Sequence, residues 1–276
     1  MAANAAPEVS GEVLFYKQPE PLSIEKHRGL GIKQVPYPYA FLVGTHIVPI
    51  AVQEFALAAA SYPIIFAGEA KVPLAVFGLQ QGENLFVSPE GLVDPEIYLP
   101  AFVRRYPFVF ASDSNAERMV VCIDRAAPMV GERPEVPFFE GNEPSKFTQE
   151  AIEFCTEFEG YRQSTQVFIQ RITEADLWQT KRISVAMPDE NGQPGETQNI
   201  AEYFAISEEK LQALSPAQFE ILRKDGCIAG IYGHLISQLL WPKLLNRSAA
   251  NQAYERMSNV TVAEARGALN KLNPRT

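Results

Sequence analysis

The sequence predicts an α+β fold: a β-rich N-terminal half of short strands and hairpins with brief helices, packed with a mainly helical C-terminal half. Three observations lead to it. Up to about residue 144 prolines recur too closely for long helices, because each removes a backbone donor and clashes with the preceding turn. From about Ser145 the spacing of apolar residues changes from near two to near three and four, the mark of a switch from strand to helix. With 276 residues, 46% of them hydrophobic, the chain is long enough to bury a substantial core without disulfide or metal staples.

Residues 1–10 are rich in Ala, Pro and Glu and are expected to be a mobile tail, followed by a single α+β domain over 11–250 and an extension over 251–276. Within the domain the β-rich part is expected over 11–144 and the helical part over 145–250. Val52 to Ala60 is alanine-rich and free of glycine, a helix of two to three turns. Tyr62 precedes Pro63, whose ring pushes it out of the α region, so the helix ends there and a strand over Ile64 to Phe66 begins. Val72 to Gln80 and Asn84 to Val87 flank Gln81-Gly82-Glu83 and read as a hairpin. Asp94-Pro95 reads as an N-cap followed by proline, and Pro100 as the start of a second short turn. Tyr106-Pro107 repeats the Tyr62-Pro63 device, opening a second hairpin between Tyr106 to Ala111 and Met119 to Asp124.

In the second half, Phe147, Ala151, Phe154 and Phe158 share one helical face, with Gly160 a candidate terminator, and Thr165 to Ile172 suggests another helix. Ile183 to Pro188 and Asn199 to Ile206 flank a polar Gly-Pro loop and read as a long-loop hairpin. Ser207 is an expected N-cap, with Ile206 and Leu211 placed as a hydrophobic staple, and Ser215 to Gln218 has capping-box spacing, with Gly226 ending that helix. The last strong helix, Cys227 to Leu240, is expected to bury a broad face that includes Tyr232, Ile236 and Leu239 before Trp241-Pro242 stops it. A weak helix is expected over Val262 to Leu272.

The net charge of −9 argues against a general nucleic-acid binder, which needs a dense basic surface. Three widely separated cysteines suggest neither a disulfide framework nor a CxxC site, and the three histidines have no close ligand partner, so no metal and no cofactor is expected. No secretory signal and no membrane span is read, so a soluble, cytoplasmic protein is expected. Phosphate loops, GxGxxG, GxSxG and HExxH are all absent, and an enzyme is not the first expectation.

The candidate positions are His46, Glu54, Tyr98, Arg104, Arg105, Tyr106 and His234. His46 and Glu54 could form an imidazole–carboxylate pair suited to general base work, or a structural hydrogen bond or helix cap. Arg104 and Arg105 lie before the second Tyr-Pro break, where they could clamp an acidic ligand or a peptide C-terminus, or simply answer the helix dipole and an internal acid. His234 reads as a packing histidine beside Tyr232. Asp124-Arg125 reads as a turn cap rather than a metal ligand.

Pro49, Glu54-Phe55, Tyr62-Pro63 and Phe66, then GLQQGENLFV, YLPAFVRRYPF, the CID of Cys122 to Asp124 and IYGHL, together resemble the SapC family over about residues 25–240. That family takes its name from a gene of a bacterial surface-layer locus. The resemblance implies an accessory or binding protein recognising a protein or peptide partner linked to surface-layer or envelope function. Its members' association with genes resembling tryptophan halogenases implies an alternative, an enzyme or a carrier of small aromatic substrates. The family brings no catalytic residues to these positions.

Overall fold

The computed structural model describes residues 14–113, 118–188 and 194–254. The tail expected over residues 1–10 and the helix expected over 262–272 lie outside them. In chain order the elements are β1 (Pro19–Pro21), α1 (Ile24–His27), β2 (Leu30–Ile32), β3 (Ile47–Pro49), α2 (Phe55–Ala58), β4 (Ile64–Ala67), β5 (Val72–Val76), α3 (Ala101–Arg104), β6 (Phe108–Asp113) and β7 (Arg118–Asp124). Four short strands follow, β8 (Val130–Glu132), β9 (Val136–Pro137), β10 (Phe139–Glu140) and β11 (Glu143–Pro144). The second half is α4 (Lys146–Glu174), β12 (Trp178–Pro188), β13 (Pro194–Ile206), α5 (Glu208–Gln212), α6 (Pro216–Lys224) and α7 (Cys227–Ser237). The fold is α+β, with antiparallel sheets.

The largest sheet has the order β12-β13-β4-β5-β3, so the long hairpin of the helical half completes a sheet begun in the β-rich half. The join is narrow, a single register pair between Phe204 and Phe66. Smaller sheets have the orders β1-β7-β6 and β8-β2-β9. Two hydrophobic cores result. One gathers Phe55, Tyr62, Phe66, Phe77, Phe168 and Ile231 around the large sheet; the other gathers Phe108, Ile123, Met129, Phe138 and Cys155. Helix α4 belongs to both, through Cys155 in its first half and Phe168 and Ile172 in its last turns. At about 1.5 Å per residue its 29 residues span roughly 43 Å, enough to bridge the two.

Both Tyr-Pro steps act as the sequence predicts: a short helix ends and a strand starts at Ile64 and at Phe108, the second through a cis Tyr106-Pro107 bond. The β6–β7 and β12–β13 hairpins form, and Ser207 and Ser215 cap their helices by accepting from Lys210 N and Gln218 N. Other expectations are corrected. The partners of β5 are β3 and β4, the latter joined to it through Gly68 and Lys71, both with positive φ; residues 84–87 contribute only an isolated bridge between Val87 and Val93. The helix expected over Val52 to Ala60 is shorter, a 3-10 turn leading into the single turn of α2. Asp94 caps a turn, accepting from Glu96 N, and no helix follows Pro95; the helix starts after Pro100. Gly160 does not end a helix. It sits on the exposed side of α4, and its cost of about 1 kcal/mol relative to alanine is small beside the packing on both sides. Trp241-Pro242 does not stop the chain's helical run either, since residues 241–254 are helical and Pro242 falls in a first turn, where no donor is missed.

The buried face of α7 is also corrected. It comprises Cys227, Gly230, Ile231, Gly233, His234 and Ser237, while Tyr232, Ile236 and Leu239 are exposed. The reason is glycine. A Cβ on Gly230 would lie 2.5 Å from Val52 Cγ2, and one on Gly233 would lie 2.9 Å from Phe55 Cβ, so the two glycines let α7 approach α2 more closely than any other residue would.

A candidate anion-binding site between the two cores

Glu54 is 2% exposed, and its carboxylate organises the start of the helical segment that leads into α2. Its Oε2 accepts from Ala51 N at 3.0 Å, half of a capping box. Its Oε1 accepts from Tyr98 Oη at 2.8 Å and from Ala101 N at 2.6 Å, so the same side chain fixes Tyr98 and the start of α3. Tyr98 is held on its backbone as well, donating to Ser61 Oγ and accepting from Tyr62 Oη. Burial and the Glu54 carboxylate push the Tyr98 pKa up to about 12, the opposite of an activated phenol. Arg104 then donates to Tyr98 Oη at 3.1 Å and to the Leu99 carbonyl at 3.0 Å, with its guanidinium over the Phe154 ring at 5.1 Å.

Arg105, the next residue, packs among a different set of rings. Its guanidinium lies over Phe102 at 4.4 Å, Phe158 at 4.6 Å and Tyr16 at 6.0 Å. Its Nε is sealed from solvent without a hydrogen bond; the Tyr16 hydroxyl is the polar group that supports the rest of the guanidinium, which forms no ion pair among the described residues. Glu159, the carboxylate that acts on it most, is held instead by Arg162. Burial holds the Arg105 pKa below its ordinary value.

Tyr106 donates to Asp124 Oδ2 at 3.1 Å and packs on Phe41 and Tyr16 at ring separations of 4.2 and 5.2 Å. Asp124, fully buried, also accepts from Lys17 N, Gln18 N and Ala126 N, so it is the turn cap the sequence suggested and the positioner of Tyr106 besides. Burial and the Asp124 charge push the Tyr106 pKa upward.

Arg104, Arg105 and Tyr106 line one cavity of about 570 Å3 with Lys33, Phe41, Phe147 and Phe154. Glu150 is the one acid on its wall, and it faces Lys146 at 3.6 Å. A second cavity of about 530 Å3 is lined by Gln53, Glu54, Leu57, Tyr98, Arg104 and Tyr161. The largest cavity, about 870 Å3, lies apart, between the loop 80–94 and the helical residues 247–254.

The structure therefore brings Glu54, Tyr98 and Arg104 into one hydrogen-bonded chain and sets Arg105 and Tyr106 beside it. His46 and His234 are elsewhere. The two Glu54 oxygens are occupied by Ala51, Tyr98 and Ala101, and His46 meets the sheet through its carbonyl, which accepts from Phe77 N and Gly78 N. His234 is fully buried against Phe66, and its Nε2 accepts from Ile206 N at 3.1 Å. Nδ1 has no hydrogen bond of good geometry, although the Ile64 backbone favours its proton; burial, then the Lys181 charge, lowers the pKa to about 3. It is a neutral packing group. Sequence reasoning missed Lys33, Phe41 and the α4 residues of the walls. The signal for the last was present: Phe147, Phe154 and Tyr161 recur at intervals of seven, two helical turns, on one stripe.

Among the described residues no helix is long and apolar enough to cross a membrane, and no cluster of acidic, histidine and cysteine side chains is built to hold a metal ion. No curated protein and no solved structure matches the chain. One family does: residues 22–244 match SapC, a span that takes in both cavities between the cores and the whole Glu54–Tyr98–Arg104 chain, and the protein belongs to the SapC family.

Proposed function

We propose that this protein is a soluble accessory or binding protein, and that it recognises a carboxylate flanked by an apolar group on a protein or peptide partner connected with the cell envelope. Arg105 carries the reading. A half-buried guanidinium set against three aromatic rings, with a sealed Nε and no carboxylate within ion-pair reach among the described residues, is costly to hold there. An incoming carboxylate would supply the missing charge, and Arg104 and Lys33 would reinforce it in the same cavity. Against a net charge of −9 such a pocket is a local positive focus on an acidic molecule, which favours encounter with an anion at that place. The aromatic walls suit an apolar group attached to the anion, and aromatics with arginine are the residues that dominate the centres of binding sites.

A second reading, a carrier of small aromatic anions, is favoured by the cavity's size: about 570 Å3 falls within the range of single-ligand pockets. Both readings require the same anion site. Calorimetric titration with 3-phenylpropionate is expected to give a Kd below about 1 mM, or roughly −4 kcal/mol. Arg104→Gln and Arg105→Met are each expected to weaken it at least tenfold. Unchanged affinity in both variants would overturn the site.

A further inference from the structure

The two cavities beside α3 share a wall, because Arg104 lines both. They also share a floor. Phe147 and Phe154 line the apolar cavity and Tyr161 the polar one, and at about 1.5 Å per residue these seven-residue intervals set the rings roughly 10 Å apart along α4. An extended chain advances about 3.3 Å per residue, so each interval accommodates about three residues. The guanidinium of Arg104 sits over Phe154, the middle ring, tethered by Tyr98 Oη and the Leu99 carbonyl. It divides an aromatic, cationic compartment from one that offers Gln53, Leu57 and the Tyr98 and Tyr161 rings. Main-chain groups at this wall differ in availability. The Tyr98 N–H and carbonyl are both taken, by Ser61 and Tyr62, whereas the Leu99 N–H has no partner among the described residues.

From this we infer that the partner is read by its free C-terminus. The terminal carboxylate is clamped at Arg104 and Arg105, the last side chain, a large apolar one, enters the compartment of Phe41 and Phe147, and the preceding residues run extended past Tyr98 towards Tyr161. This rests on the anion site proposed above and adds a direction and a second compartment to it. A small aryl carboxylate fills only the first compartment. A peptide fills both.

The test compares 3-phenylpropionate with an N-terminally labelled hexapeptide ending in phenylalanine, as the free acid and as the C-terminal amide, by calorimetry and fluorescence anisotropy on the full chain. The free acid is expected to bind at least tenfold more tightly than either the amide or 3-phenylpropionate. Leu57→Asp replaces apolar surface with a charge on the rim of the second compartment, at a side chain that is 61% exposed, so folding is not at stake. It is expected to cancel the peptide's advantage while 3-phenylpropionate binds as before. Equal binding of acid and amide, or a peptide no tighter than 3-phenylpropionate, overturns this inference and leaves the anion site standing. Binding of neither probe overturns both.

Discussion

Single residues in this protein are legible when their chemistry is local and obscure when it depends on a distant partner. Glu54 was visible as a carboxylate at a helix start, and it does cap that start, through Ala51 N. Its larger task, holding Tyr98 and Ala101, links positions separated by 44 and 47 residues, and no spacing rule announces that. The His46 partner expected for it was chosen by nearness in sequence, but the strand turns the His46 backbone into the sheet, where its carbonyl is spent on Phe77 and Gly78. His234 makes a prediction at this scale. Its folded pKa of about 3 lies below the ordinary 6.5, so between these values the unfolded chain binds the extra proton. The stability from a neutral His234 is therefore complete above pH 6.5 and is lost as pH falls towards 3, on the order of 5 kcal/mol at about 1.4 kcal/mol per unit. His234→Gln, whose amide oxygen can still accept from Ile206 N, is expected to flatten the acid limb of stability against pH, measured by urea unfolding between pH 7 and 4. An unchanged limb would show that other groups set it.

Elements were legible wherever local backbone chemistry decides them. The two Tyr-Pro steps and the Ser207 and Ser215 caps stand where the sequence put them, because a proline ring or a capping hydroxyl acts within four residues, while the polar-loop hairpin forms with longer strands than expected, Trp178–Pro188 and Pro194–Ile206. Pairing partners and buried faces were not, because they depend on what arrives from elsewhere. The strand at Val72 pairs with β4 through a turn that uses positive φ at Lys71, a residue with no turn preference to read. On α7 apolar content pointed to Tyr232, Ile236 and Leu239, yet the face that packs is the one with Gly230 and Gly233. Two glycine substitutions separate the principles. Gly230→Ala would gain about 1 kcal/mol of helix propensity but force a methyl against Val52 and Phe168, and is expected to destabilise by roughly 1–3 kcal/mol. Gly160→Ala, where nothing lies within 4 Å, is expected to stabilise by about 0.5–1 kcal/mol. Thermal or chemical unfolding of the pair checks both signs; Gly230→Ala as stable as the parent would mean that α7 can move away from α2.

At the scale of the molecule, α4 ties two cores together, and the candidate site occupies the seam where α3 crosses it. There Arg105 is half-buried with no carboxylate in ion-pair reach among the described residues, which predicts a separation of stability from binding. Arg105→Met keeps the volume among Phe102, Phe158 and Tyr16 and removes a half-buried charge that has no ion pair, so it is expected to leave folding stability unchanged or slightly raised while 3-phenylpropionate binds at least tenfold more weakly. A variant that instead unfolds more easily would mark Arg105 as a structural cation. The residues that identify the family take on meaning here: Glu54, Tyr62, Tyr98, Arg104, Tyr106 and Asp124, drawn from three motifs, join in two hydrogen-bonded groups on either side of the seam. By itself the sequence determined the α+β class, the switch to helix near Ser145, the helix-to-strand breaks and the SapC membership, because composition, periodicity and local backbone sterics act over a few residues. Only the tertiary structure decided which strands pair, which face of α7 is buried, and that Glu54 answers Tyr98 rather than His46. Those outcomes rest on contacts between segments tens of residues apart, where close packing and the need to satisfy each buried polar group select one arrangement among many that the local sequence allows.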